Sequence, residues 1–150
     1  MNRKRLILAV VVAVSFLAGA LIPTALTQSA SRTEYVLVNY MKVDPAKEGA
    51  YVQMEREVWK PIHQQRVKDG KLQSWLLYAV RFPGGDNREY GYLTVETYKS
   101  VQDVDGGYDD LASVIKKVHP NKAADQILSQ ANTSRSLVRS EVLKLVDRTD

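Results

Sequence analysis

An α+β domain, with one four-stranded antiparallel sheet and its helices on a single face, is the fold class this sequence predicts. Three observations lead there. The periodic segments run strand, helix, strand, strand, helix, strand. Residues 57–80 pass from the second half of a long helix through a tight exit at Asp69-Gly70 directly into a strand. The strands, finally, carry apolar residues on both of their alternating faces.

Residues 35–43, Tyr-Val-Leu-Val-Asn-Tyr-Met-Lys-Val, are β-branched and aromatic and form the first strand. One face holds Tyr35, Leu37, Asn39 and Met41, the other Val36, Val38, Tyr40 and Lys42. Both are largely apolar, so both should be covered. Asp44-Pro45 then opens a helix, aspartate as N-cap and proline at the first helical position. The helix is predicted over residues 45–69. Ala50, Met54, Val58 and Ile62 step along one face with Tyr51 and Trp59 beside them. Pro61 lacks a backbone donor and presses on the carbonyl four residues back, which predicts a kink near residues 57–60. Gly70 ends the helix as a left-handed cap.

Residues 72–82 and 90–98 read as the second and third strands, an antiparallel hairpin around the turn formers Pro83-Gly84-Gly85-Asp86-Asn87. A second helical region follows Ser100 as N-cap, with Val104, Tyr108, Leu111, Ile115 and Val118 at helical spacing. Gly106-Gly107 weakens its first turn. His119-Pro120 stops it, because the residue before a proline avoids helical angles. Residues 122–130 form a short extra helix and 136–146 the last strand. This order is the split, ferredoxin-like βαββαβ arrangement. A sheet that is oily on both sides needs two covers, one from its own helices and one from a second copy, which predicts a homodimer.

The first part of the chain stands apart. Asn2-Arg3-Lys4-Arg5, an apolar run over 6–22 and small or polar residues beyond it have the layout of a secretory signal peptide. Cleavage is expected near residues 27–31, with an uncleaved membrane anchor over 6–22 as the alternative. Residues 1–30 are therefore a signal peptide or anchor and 31–150 the domain, secreted or periplasmic. Arg3, Lys4 and Arg5 carry most of the formal net charge of +4. The remainder is close to neutral, and nucleic-acid binding loses its electrostatic support. The absence of cysteine excludes a disulfide framework.

The element order, the Trp59-Lys60-Pro61 helix running through Asp69-Gly70 into a Trp75-bearing strand, and the His119-Pro120 break together carry a resemblance. The chain resembles the dimeric α/β-barrel superfamily, which includes antibiotic-biosynthesis monooxygenases and stress-responsive barrel proteins. The match covers residues 35–146. The resemblance implies a pocket between sheet and helices. It leaves the activity open, since members include cofactor-free oxygenases, haem-degrading enzymes, dismutases and proteins without a known reaction. Haem-degrading members use an asparagine on the first strand with a histidine and a tryptophan. Here Asn39 is on the first strand, but His63 is on the first helix and His119 ends the second, so that triad does not carry over. No cofactor is expected.

Trp59 and His63 stand four residues apart on one helical face, so their rings can meet. His63 is the candidate catalytic base, titrating near neutral pH; as a merely structural residue it would be half-exposed at the kink. Asn39, Trp59, His63, Trp75, Tyr78 and Tyr92 are the candidate ligand-binding residues. The many tyrosines of the hairpin could equally sit at a dimer seam or on a solvated edge. His119 with Asp109 or Asp110 matches no metal-ligand spacing, so no metal is expected. A nucleophile elbow and a phosphate loop are both lacking. The function expected is an exported homodimer that binds a small organic molecule in the helix–sheet cleft. The alternative is a cofactor-independent oxygenase-like enzyme acting on an aromatic substrate, with His63 or a tyrosine as base.

Overall fold

The computed structural model describes residues 34–82 and 88–149. The leader expected over 1–30 and the turn over 83–87 lie outside the described residues. Strand β1 is Tyr35–Lys42, and Asp44 Oδ1 then accepts from Ala46 N at 2.9 Å to cap a 3₁₀ turn, Pro45–Lys47. Helix α1, Glu48–Met54, leads through a π-helical turn, Glu55–Trp59, into α2, Lys60–Lys68. The kink expected at Pro61 thus takes the form of a widened turn. Lys60 N–H reaches back five residues to Glu55 O, which relaxes the ladder just ahead of the proline ring.

Gly70 adopts φ +74°, the left-handed exit. Strand β2, Ser74–Ala79, is shorter than expected, and β3 is Tyr92–Tyr98. The expected second helix is broken in two. Ser100 Oγ caps α3, Val101–Asp105, by accepting from Asp103 N at 3.1 Å, and α4 is Leu111–Val118. Gly106 and Gly107 separate them. Helix α5, Ala124–Ser134, is longer than expected, and β4 is Ser136–Lys144.

The sheet order is β2-β3-β1-β4, all antiparallel, with a register shift between Tyr40 and Met41 against β4. That is the βαββαβ topology read from the sequence. Asn39 pairs with Thr94 on one side and Ser140 on the other, and Leu77 pairs with Thr94 across the opposite edge of β3. The core lies between this sheet and the helices, where Met41 and Tyr92 meet Tyr51, Met54, Val58, Ile62, Ile115 and Ile127.

Strand β3 is patterned against convention. Its helix-facing side chains Tyr92, Thr94, Glu96 and Tyr98 are buried, and its apolar Leu93 and Val95 point to the other side. Register places Val36, Val38, Leu76, Tyr78 and Leu143 on that same open face. Leu76, Tyr78 and Leu143 remain exposed there. Ala50, expected on the buried stripe of the first helix, is exposed, while Tyr51 and Glu55 are buried. Among the described residues no helix is long and apolar enough to cross a membrane.

Candidate functional site

Between sheet and helices lies a cavity of about 430 Å³. Its floor is the helix-facing side of the sheet, with Leu37, Asn39 and Met41 from β1, Thr94 and Glu96 from β3, and Ser140 from β4. Glu55, Trp59 and His63 roof it from the π turn and α2. Tyr108, Leu111, Leu128 and Arg135 close the sides.

Of the candidate residues, the structure brings Asn39, Trp59, His63 and Trp75 to this one cavity. Tyr78 is on the opposite face of the sheet, because Trp75 and Leu77 take the inward positions of β2. Tyr92 packs edge-on against Tyr51, ring centroids 5.0 Å apart, and lines a separate groove with Glu48 and Gln53. Asn39 is tied down by its neighbours on the sheet. Its Nδ2 donates to Thr94 Oγ1 at 3.3 Å, and Ser140 Oγ donates to its Oδ1 at 2.6 Å.

His63 is stacked between two indoles. Trp59 lies 5.9 Å away at 27° and Trp75 lies 5.1 Å away at 9°. Instead of being half-exposed at a kink, the imidazole is buried. Arg66 Nη1 sits 3.1 Å from its Nδ1. A guanidinium only donates, so Nδ1 is the acceptor and the neutral ring carries its proton on Nε2. Burial, with help from Arg66, lowers the pKa to about 4, against an opposing pull from Glu96. The near-neutral titration expected from the sequence is therefore replaced by a ring that stays uncharged at physiological pH.

Behind His63 is a polar network that the sequence reading missed. Glu96 accepts from Arg66 Nη1 at 3.0 Å, from Tyr98 OH at 2.6 Å and from Tyr108 OH. Arg66 also donates to Tyr98 OH at 3.1 Å and to the Gly107 carbonyl, and lies over the Tyr108 ring at 4.6 Å. Burial, reinforced by Glu96, holds the Tyr98 and Tyr108 phenols above their ordinary range.

Glu55 and Arg135 were missed too. Burial raises the pKa of Glu55, with Arg135 pulling against it. The signal available was a four-residue stride, Tyr51, Glu55, Trp59, His63, which marks one face of the first helix. His119, set aside as a metal ligand, donates from Nε2 to Val58 O at 3.0 Å and so occupies a carbonyl of the widened turn. Among the described residues no cluster of three or more histidine and carboxylate side chains is placed to hold a metal ion.

No known family profile matches the chain, and no curated protein sequence matches it. Solved structures do. HapK from Hahella chejuensis superposes with a TM-score of 0.57 at 9% identity, over 77% of this chain and 96% of that one. A dimeric ferredoxin-like protein from an uncultured marine organism gives 0.52 at 13% identity, over 79% of this chain and 92% of that one. The chain has the ferredoxin-like fold. At such identities the likeness is one of architecture, and the ferredoxin-like sheet explains the cleft's position: the four strands supply a floor wide enough for the helices to leave a gap above its centre.

Proposed function

We propose that this protein binds a small, largely apolar organic molecule in the cleft between helices and sheet. One observation carries the reading. Most of the cavity's exposed lining is apolar and its volume suits a small ligand, yet the buried indole Nε1 of Trp59, a residue that lines it, has no hydrogen-bond partner among the described residues. Such a donor is costly to bury unless something accepts from it. The test is mass spectrometry of the gently purified protein for a co-purified molecule, with the indole N–H resonances of Trp59 and Trp75 as reporters. If neither resonance moves when that molecule, or a library of small apolar compounds, is added, the proposal fails.

The working unit is proposed to be a homodimer joined through the open sheet face. The apolar Val36, Val38, Leu76, Leu93 and Val95 on that face support this reading, as does the dimeric state named for the marine ferredoxin-like protein. Export, with residues 1–30 as signal peptide or membrane anchor, is proposed on the basic and then apolar leader. The N-terminal residue of the protein recovered outside the cytoplasm tests it. The oxygenase-like alternative has less support. It asks His63, whose Nδ1 already accepts from Arg66 and whose pKa burial lowers, or phenols that burial keeps protonated, to take a proton.

A further inference from the structure

The polar groups of the cleft do not satisfy one another, and the shortfall describes what an occupant must carry. Glu55 projects from the π turn with its side chain only 3% exposed, and its closest cationic atom, Arg135 Nε, is 3.7 Å away, beyond hydrogen-bond reach. Among the described residues no donor stands within reach of the Glu55 carboxylate in bonding geometry; the Tyr51 phenol, a buried donor likewise without a partner there, is near enough to favour its charged form but not to bond it. Arg135 Nε and Trp59 Nε1 are buried donors without acceptors among the described residues. Glu55, Arg135 and Trp59 line the same cavity.

A single oxygen atom that donates to Glu55 and accepts from Arg135 Nε would serve both groups. Two bonds of about 2.8 Å easily span their separation. Only some chemistries supply such an atom. A ketone or ether oxygen accepts but cannot donate to Glu55. An ammonium donates but leaves Arg135 unmet, and a carboxylate would set a second negative charge beside Glu55. A hydroxyl does both, in the way a water molecule does, and so can take a water's place there. On the floor, Asn39 bonds Thr94 and Ser140, and Glu96 bonds Arg66 and Tyr108, while Leu37, Met41, Leu111 and Leu128 supply apolar wall.

We propose that the cleft takes a neutral alcohol or phenol, an apolar body whose hydroxyl lies between Glu55 and Arg135. This rests on the reading of the cleft as a small-molecule site and names the chemistry it selects. The hydroxyl donates to the Glu55 carboxylate, a charge-assisted bond of the stronger kind. It accepts from Arg135 Nε.

Borneol, camphor and bornane share one bicyclic body and differ in bearing a hydroxyl, a carbonyl or neither. Each is titrated into the purified protein while the emission of Trp59 and Trp75, its only two tryptophans, is followed. Borneol is expected to bind roughly tenfold more tightly than camphor, and bornane more weakly than both. In Glu55→Met the borneol advantage should fall below about threefold while camphor's affinity is nearly unchanged. Glu55→Gln, closer in shape, should lower it less. Equal affinities for borneol and camphor, or an advantage that survives in both variants, overturn the hydroxyl assignment and leave the cleft a small-molecule site. Unchanged emission with all three compounds overturns the assignment and the binding function together.

Discussion

Arg66 and Glu96 form an ion pair at 3.0 Å with side chains 0% and 1% exposed, joining α2 to β3 across the back of the cleft. A pair so deeply buried stabilises little by its presence, yet losing one member strands the other charge. Glu96→Leu is expected to cost about 3–5 kcal/mol in urea unfolding. Arg66→Met combined with Glu96→Leu should cost clearly less than the sum of the two single changes. Strict additivity would show that the pair is not coupled.

The neutral state of His63 makes stability depend on pH. The ordinary pKa is 6.5 and the folded one about 4, so between those values the unfolded chain binds more protons. Stability therefore rises with pH across that window, is fully present above its upper end, and is lost as pH falls through it. The full difference corresponds to about 3 kcal/mol. Glu55, raised by burial, works in the opposite sense above its own ordinary range. The slope is accordingly read as the difference between the protein and His63→Phe, in which the Glu55 contribution cancels. An identical slope in both proteins would remove His63 as its source.

His119→Phe removes the donor to Val58 O, on a residue only 5% exposed. A buried carbonyl left without its partner costs about 1–2 kcal/mol, and the loss should appear in thermal unfolding. A change in the cleft-lining Trp59 indole signal should accompany it, since Val58 precedes Trp59 in the widened turn. Wild-type stability in this variant would mean that water replaces the imidazole at no cost.

Gly107 is fixed by close approach. A Cβ there would lie 2.9 Å from Tyr98 OH and 3.0 Å from Val104 O, inside ordinary contact distance. Gly107→Ala should destabilise by about 1–3 kcal/mol and displace the phenol from Arg66. Tyr98→Phe in the same background should recover part of that loss, and failure to recover any would place the clash elsewhere.

The open face of the sheet gives a prediction about assembly. Val95 lies on β3 opposite Val38 and Leu76, at the centre of the apolar patch. Val95→Glu is expected to yield monomers in light scattering with far-ultraviolet dichroism unchanged, because a charge there is tolerated by water but not by a second sheet. A wild-type protein that is already monomeric at high concentration would end the dimer proposal.

Much of the frame was legible in the sequence because its signals are local. The Asp44-Pro45 start, the Gly70 exit, the Ser100 cap and the His119-Pro120 stop each act through one or two residues. The cleft was half legible. Asn39, Trp59, His63 and Trp75 are aromatic or polar residues in elements whose facing is set by period alone, and they converge. The burial of Glu55, Arg66 and Glu96 was not legible, since it depends on partners 30 to 80 positions away, a relation that no single element displays. Tyr108 was taken for a helical residue, and the break at Gly106-Gly107 turned it into a ligand of Glu96. The inverted alternation of β3, polar inward and apolar outward, was visible but has meaning only once its neighbours are known.

In the π turn Glu55–Trp59, amides reach back five residues and Pro61 contributes none. The roof of the cleft is thus laddered less regularly than the α1 and α2 that flank it, and its backbone should trade hydrogen for deuterium ahead of them. A molecule seated against Glu55 and Trp59 would have to hold that stretch shut, so occupancy would be written into the exchange kinetics of the main chain.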